Sequence, residues 1–101
     1  KLLPDFGTQG LLDLARKFVK DANRRLGNII EAEAEGNYTE VALQVHTLKG
    51  SARTVGFREV ESWASDVEAT GLTSDVGGIA ESARLLRAKL MELEESLSLP
   101  S

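Results

Sequence analysis

Hydrophobic residues recur every three or four positions along most of this chain, and glycine-rich breaks interrupt the recurrence at three places. A spacing of three or four is typical of an amphipathic α-helix, whereas no segment has the alternation of period two that predicts a β-strand. The pattern therefore predicts an all-α protein. Its four predicted helices run from about Thr8 to Glu35, from Tyr38 to Val55, from Phe57 to Thr70, and from a cap at Ser74 or Asp75 to Ser96.

Each predicted helix carries one apolar stripe, and these stripes are the expected core. Four amphipathic helices with short connections bury their stripes only against one another, and short connections make sequential neighbours antiparallel. We therefore expect an antiparallel up-down four-helix bundle, with Trp63 packed at its edge and with Asp5 or Thr8 capping the first helix. The expected core positions are Leu11, Ala15, Phe18, Ala22, Leu26 and Ile29, then Tyr38, Val41, Val45, Leu48, Ala52 and Val55, then Phe57, Val60, Ala64 and Val67, and finally Val76, Ile79, Ala83, Leu86, Leu90, Leu93 and Leu97.

The length and composition limit the class of protein. A chain of 101 residues supports one hydrophobic core, so residues 1–101 are expected to form a single domain, and a start at Lys1 rather than Met is expected of a domain excised from a longer protein. The absence of cysteine excludes disulfides, thiolate metal sites and a cysteine nucleophile. A net charge of −4 with interspersed basic residues disfavours binding to nucleic acids or anionic membranes, and no stretch has the length of a membrane span. A cytoplasmic location is expected.

The one histidine, His46, lies in the middle of the second predicted helix. At about 100° per residue, the apolar stripe of this helix centres about 130° away from His46. The imidazole is therefore expected to point into solvent. The residues within about 60° of it on the same helical wheel are Thr39, Ala42, Leu43, Lys49, Gly50 and Arg53.

Two of these neighbours indicate chemistry with an anion. Lys49 lies one turn from His46, where its ammonium group could neutralise a phosphate on the ring. Gly50 occupies a helix interior, where glycine costs about 1 kcal/mol relative to alanine, and its missing side chain would open a path to the imidazole. Close packing of another helix is the alternative explanation of Gly50, but its position off the apolar stripe argues against that explanation.

Other chemistry of a histidine fits the sequence less well. Zinc requires three or four ligands, and the chain has a single histidine and no cysteine. The hydroxyls of Thr47 and Ser51 do not face the ring from their positions on the helix, so neither suits the nucleophile of a hydrolase. A surface histidine without function is the simplest alternative. The remaining reaction is nucleophilic, because a ring nitrogen can accept a phosphoryl group and pass it on.

Residues 46–52, HTLKGSA, together with Gly56 four residues later, resemble the signature of histidine phosphotransfer (HPt) domains. That signature has the pattern H-x-L-K-G-[SA]-[SA] followed by a glycine, on the second helix of an antiparallel four-helix bundle. The likeness extends over the whole chain, including a third helix that begins just after Gly56 and ends in an acidic turn around Glu68.

The resemblance also implies roles and partners. His46 would carry the phosphoryl group on Nε2, Lys49 would steady the phosphate, and Gly50 would leave room for a receiver domain. Donor and acceptor would be aspartates of response-regulator receiver domains, whose own Mg²⁺ assists the transfer, and a hybrid histidine kinase is a further expected partner. The domain itself would have no cofactor and no ATP site, so it would be a monomeric phosphocarrier rather than an enzyme.

The face around His46 contains further residues that a partner could contact. Ala42 and Leu43 would form a modest apolar patch for a docked receiver. Arg53 would either pair with acidic residues of that receiver or be solvated.

Two alternatives stay open. A helical interaction module without covalent chemistry would use the same bundle and the same exposed Leu43. The phosphoacceptor domain of a histidine kinase also places a histidine on a helix, but acidic and then proline residues usually follow that histidine. Here Thr47, Leu48 and Lys49 follow, which argues against the kinase alternative.

Overall fold

The computed structural model describes residues 4–70 and 77–98, and these residues form four α-helices and no strand. The helices are α1 (Pro4–Ala34), α2 (Tyr38–Val55), α3 (Arg58–Ala69) and α4 (Gly77–Ser98). The four predicted helices are therefore confirmed, and the bounds of α2 coincide with the predicted bounds. The predicted caps Ser74 and Asp75 and the predicted core residue Val76 lie outside the described residues.

The helices form an antiparallel up-down bundle in which α1 packs on α2 and α4, and α2 packs on α3. Residue numbers rise along one helix and fall along its neighbour in every cross-helix pair. These pairs are Arg25–Gln44 for α1 and α2, with Phe18 of α1 stacked on Phe57 just after the end of α2, Arg53–Glu61 and Lys49–Glu68 for α2 and α3, Glu59–Lys89 and Trp63–Ser82 for α3 and α4, and Arg16–Leu97 and Asn23–Glu94 for α1 and α4.

The buried face of each helix is close to the predicted stripe. The core residues are Phe18, Val19, Ala22, Leu26, Ile29 and Ala32 of α1, Val41, Val45, Leu48 and Ala52 of α2, Val60, Ala64 and Val67 of α3, and Ile79, Ala83, Leu86 and Leu90 of α4. Trp63 is half-buried at the edge of this core, as predicted, and its Nε1 donates a hydrogen bond to Ser82 Oγ at 2.9 Å.

The predictions for the start of α1 were wrong in two respects. The described part of α1 already includes Asp5 and Thr8, so neither residue occupies the position before the helix that a cap requires. Leu11 was placed in the core, but it is 70% exposed. The reason is that Phe18 already stacks on Phe57 at the far end of α2, so the residues before Phe18 extend past that end.

Local signals fix both ends of α2. The side chain of Asn37 accepts a hydrogen bond from the backbone N–H of Glu40 at 3.2 Å and so caps the N-terminus. Gly56 adopts the left-handed conformation with φ of 78°, and the Phe57 N–H returns to the Ala52 carbonyl at 2.8 Å. The third helix then begins at Arg58 rather than at the predicted Phe57. These tight turns hold α3 antiparallel to α2, beside the histidine.

Candidate functional site

The imidazole of His46 lies on the outside of the bundle, as the helical wheel predicts. Its side chain is 74% exposed, whereas Val45 and Leu48 on the opposite side of α2 are fully buried. Burial of neighbouring positions on one side of a helix leaves the other side to water. A core role for this histidine is therefore excluded.

A carboxylate from α3 links the histidine to the lysine. Glu68 Oε2 lies 3.1 Å from His46 Nδ1, and Glu68 Oε1 accepts a hydrogen bond from Lys49 Nζ at 2.6 Å. One glutamate therefore contacts both His46 and Lys49 of α2. Sequence alone did not indicate this role for Glu68, because the only signal was an acidic turn at the end of the third helix.

The contact with Glu68 determines which ring nitrogen is available. An ionised carboxylate only accepts hydrogen bonds, so the proton that it contacts must reside on Nδ1. In the neutral ring, Nε2 then carries the free lone pair. Because the side chain is 74% exposed, this nitrogen is the one that an incoming electrophile can reach. The contact with Glu68 thus favours the tautomer in which Nε2 is unprotonated.

Hydrogen bonds from two neighbouring side chains keep Glu68 ionised. The hydrogen bond from Lys49 is the largest cause that lowers the pKa of Glu68 below its ordinary value of 4.5, and the hydrogen bond from His46 is the next largest. Because the pKa of Glu68 is lower in the folded state than in the unfolded state, the ionised carboxylate stabilises the folded protein fully above about pH 4.5. This stabilisation is lost as the pH falls through the lower pKa of the folded state. At neutral pH the three side chains therefore stay connected.

The ammonium group of Lys49 is less open than the sequence suggested. Its side chain is 23% exposed, and Glu68 holds it beside α3. An ammonium group has three N–H donors, and the contact with Glu68 uses one of them. Two donors remain for an anion bound to the ring, so Lys49 can serve Glu68 and a phosphate at the same time.

The helix surface next to the ring is open at Gly50. A Cβ atom built at this position would meet no heavy atom within 4 Å. Close packing of another helix, the alternative explanation of this glycine, therefore finds no support. The bare backbone lies one turn from His46, on the same exposed face. It leaves space for another molecule beside the imidazole.

The other residues of this face differ in how far they reach into solvent. Leu43 is 58% exposed, whereas Ala42 is half-buried. Arg53 is also exposed, but its Nε donates a hydrogen bond to Glu61 Oε2 at 2.8 Å, so it is paired within the chain. That pairing was not among the two arrangements expected for Arg53.

The hydroxyl groups near the ring are used by the helix itself. Thr47 Oγ1 donates to the carbonyl of Leu43 at 2.9 Å, and Thr54 Oγ1 donates to the carbonyl of Gly50 at 3.0 Å. Such bonds within a helix are structural. Among residues 4–70 and 77–98, no three carboxylate or histidine side chains come together as metal ligands would.

The family model described as "Hpt domain" matches residues 13–98. The chain therefore belongs to the Hpt domain family. Searches of the curated proteins and of the solved structures found no significant match to this chain.

Membership of this family establishes the general activity. Hpt domains carry out histidine phosphotransfer in phosphorelays, where they interact with receiver domains and act as phosphocarriers rather than as catalysts. Within the part of the chain that the structure describes, none of the helices is both long and apolar enough to cross a membrane.

Proposed function

We propose that His46 is the phosphoacceptor and that it carries the phosphoryl group on Nε2. The observation that supports this role best is the contact between Nδ1 and Glu68, which leaves Nε2 as the unprotonated nitrogen of a ring that is 74% exposed. The hydroxyl groups of Thr47 and Thr54 are instead bonded to backbone carbonyl groups of α2.

The transfer is a displacement at phosphorus. The Nε2 lone pair forms the new P–N bond while the P–O bond of a receiver aspartyl phosphate breaks, and the aspartate leaves as a carboxylate. The proton on Nδ1 stays in place, so the phosphorylated ring is cationic, and the negative charge of Glu68 stabilises it. In the reverse direction a receiver carboxylate attacks the phosphorus and Nε2 is the leaving group.

Lys49 stabilises the phosphoryl oxygens through the donors that Glu68 does not use. The domain supplies no metal ion in this proposal. Mg²⁺ comes from the receiver, whose acidic residues bind it next to the phosphoacceptor aspartate. The chain's own role is to position the nucleophile and to stabilise charge, which are the main requirements of phosphoryl transfer.

The partners in this proposal are two receiver domains. A receiver of a hybrid histidine kinase donates the phosphoryl group, and a receiver of a response regulator accepts it. Leu43 and Ala42 provide apolar contact next to the ring, and Arg53 provides a charge at the edge of the docking face. Since aspartyl phosphates derive from ATP through kinases, the domain works in the cytoplasm.

A small phosphodonor tests the proposal without the natural partner. The domain is incubated with phosphoramidate at neutral pH, and the modified residue is mapped by mass spectrometry and by ³¹P NMR. We expect one phosphohistidine at His46, stable in base and labile in acid, which a receiver domain with Mg²⁺ then discharges. A phosphohistidine that no receiver discharges would contradict the role of a relay intermediate, and the absence of phosphate on His46 would instead favour an interaction module without covalent chemistry.

Gly50→Gln should hinder the approach of a receiver domain to His46 without changing the reactivity of the imidazole itself. Glutamine favours the helix by up to about 1 kcal/mol relative to glycine, and no atom within 4 Å opposes its Cβ, so thermal stability should stay equal or rise. Transfer from a receiver should slow by about tenfold or more, equivalent to about 1.4 kcal/mol of impaired docking, whereas modification by phosphoramidate should be unchanged.

The matched control for this substitution is Gly10→Gln. Gly10 lies in α1, and a Cβ there also meets nothing within 4 Å, so the two variants gain the same helix propensity. The control should exchange phosphate with receivers at the original rate. Equal rates for both variants would refute the proposed role of the bare backbone at Gly50.

Glu68→Gln should slow phosphoryl uptake by about threefold to tenfold. A neutral amide loses the charge-assisted hydrogen bonds to Lys49 and His46, and a rate change of this size corresponds to about 1 kcal/mol of lost orientation. The measurement is the initial rate with phosphoramidate, together with the ¹⁵N shifts of the ring. We expect the shifts to move away from a pure Nδ1–H tautomer, a change that loss of packing alone would not cause.

A further inference from the structure

The exposed side of α2 carries an arginine that keeps most of its hydrogen-bond donors unused. Arg53 is 66% exposed, and its Nε donates a hydrogen bond to Glu61 Oε2 at 2.8 Å. Within residues 4–70 and 77–98, no residue other than Glu61 is bonded to Arg53. A guanidinium group has five N–H donors, of which one carboxylate takes up at most two, so at least three remain for another molecule.

The contact with Glu61 leaves one edge of the guanidinium group open. Glu61 lies on the edge that contains Nε, so the edge formed by the two terminal nitrogens stays accessible. That edge presents two parallel N–H groups, which match the two oxygens of a carboxylate. The open edge of Arg53 therefore fits a second carboxylate, supplied from outside the chain.

Arg53 lies on the strip of α2 that contains the histidine. It follows His46 by seven positions, which places it about 20° around the helix and about 10 Å along its axis from the histidine. Gly50 lies between the two residues, and a Cβ there would meet no heavy atom within 4 Å. A standard protein interface covers about 800 Å² on each partner, or about 30 Å across. A molecule that rests on Gly50 and reaches the imidazole therefore also meets the guanidinium group.

Glu61 determines where the guanidinium group lies. An arginine side chain on a helix surface is otherwise free to rotate, and ordering it during binding costs affinity. Glu61 is 28% exposed and reaches Arg53 from α3. The same helix provides the carboxylate of Glu68, which bonds Lys49. Carboxylates of α3 thus hold both of these cations of α2 before any partner arrives.

We propose that Arg53 determines which receivers dock and that Glu61 is its positioning residue. The receiver is the one that docks over Gly50 in the proposed function, on which this inference rests. Its carboxylate accepts two parallel hydrogen bonds from the open edge of the Arg53 guanidinium group. The protein thus selects receivers that carry an exposed aspartate or glutamate about 10 Å from the phosphoacceptor aspartate, the spacing of Arg53 from His46.

This contact differs from general attraction between opposite charges. The pair of Arg53 and Glu61 is neutral as a whole, so it adds little to the long-range attraction of an acidic partner. At contact distance, the fork of N–H groups instead recognises the planar shape of a carboxylate. A receiver with an apolar or basic residue at this point leaves the guanidinium edge unpaired or repelled, so it docks more weakly.

The measurement separates docking from phosphoryl transfer. The protein is loaded on His46 with phosphoramidate and mixed with a receiver domain that discharges it in the presence of Mg²⁺, at a series of receiver concentrations. The half-saturating concentration reports docking, and the limiting rate reports the transfer itself. Failure to load would refute the proposed function. After normal loading, the half-saturating concentration alone decides the role of Arg53.

Arg53→Ala should raise the half-saturating concentration about tenfold and leave the limiting rate unchanged. Arg53→Lys should raise it about threefold or more, because lysine keeps the charge but lacks the fork. Lys89→Ala is the matched control, since Lys89 forms an exposed ion pair of similar length, 3.0 Å, with Glu59 between α3 and α4. This control should dock normally. Unchanged docking of either Arg53 variant would overturn the proposed contact.

Glu61→Ala tests the positioning. We expect a rise of about threefold in the half-saturating concentration, because Arg53 must then be ordered during binding, and no rise when Arg53 is already alanine. High ionic strength in the assay screens the change of net charge. Glu59→Ala removes another paired carboxylate of α3 and should have no effect. Unchanged or tighter docking of Glu61→Ala, or additive losses in the double variant, would contradict the positioning role.

Exchanging the two residues separates docking from stability. The double variant Arg53→Glu, Glu61→Arg keeps the net charge and the ion pair, so its urea midpoint should match that of the unaltered protein. A carboxylate on α2 then faces the receiver, so docking should weaken by more than in Arg53→Ala. Normal docking of the exchanged pair would mean that the ion pair alone matters, and would refute the proposal.

Variants of the receiver identify the carboxylate that Arg53 binds. Each exposed aspartate or glutamate near the phosphoacceptor aspartate is replaced in turn by its amide. One replacement should weaken docking to the unaltered protein about tenfold and have no further effect with Arg53→Ala, because a coupled pair loses its interaction only once. If every replacement adds fully to the effect of Arg53→Ala, no carboxylate pairs with Arg53 and the proposed selection of receivers is wrong.

Discussion

His46→Gln should abolish phosphoryl uptake, both from phosphoramidate and from a phosphorylated receiver. The glutamine amide is not nucleophilic, so the variant has no imidazole nitrogen to accept the phosphoryl group. Because the His46 side chain is 74% exposed, we expect its replacement to change the free energy of unfolding by no more than about 0.5 kcal/mol. The measurement is incorporation of acid-labile phosphate, alongside circular dichroism to verify the helices.

Thr39→Gln provides the matched control for this loss. Thr39 is exposed on the same side of α2 and has no partner in the proposed chemistry, so the variant should take up phosphate at the original rate. Acid-labile phosphate on the His46→Gln variant, at a rate similar to that of the control, would rule out His46 as the acceptor and with it the whole proposed mechanism.

Leu48→Ala should cause the largest loss of stability among single changes on α2. Leu48 is fully buried in the centre of the core, and replacing a buried leucine by alanine costs about 2–5 kcal/mol through lost burial and a residual cavity. Small domains are stable by only about 5–15 kcal/mol, so the variant should unfold at a much lower urea concentration. Urea titration followed by circular dichroism gives the difference.

Leu43→Ala removes the same atoms from the opposite side of the same helix. Leu43 is 58% exposed, so its loss should change stability by no more than about 0.5 kcal/mol. Similar urea midpoints for the two alanine variants would mean that the buried side of α2 is not the side described above.

The sequence predicts those features of the fold that depend on residues close together in the chain. The bounds of α2 follow from Asn37 at one end and from Gly56 at the other, and both residues act within one turn of the helix. The exposure of Leu11 depends instead on where α2 stops relative to α1. That distance is set by the stacking of Phe18 on Phe57, a contact between residues remote in sequence.

The same distinction applies to the site. The exposure of His46 and the open surface at Gly50 follow from helical periodicity, because both residues lie on one helix. The position of Lys49 against Glu68 does not, since the two residues are 19 positions apart and meet only through the packing of α3 on α2. The ion pair between Arg53 and Glu61 was missed for the same reason.

The placement of Glu68 on a separate helix also affects how related sequences should be compared. The heptapeptide that begins at His46 contains the proposed nucleophile and Lys49, but the carboxylate that contacts both of them comes 22 positions after the histidine. Two homologues with identical heptapeptides can therefore differ in the resting geometry of the imidazole. Grouping such domains by the residue at the end of their third helix would sort them by reactivity more faithfully than the heptapeptide does.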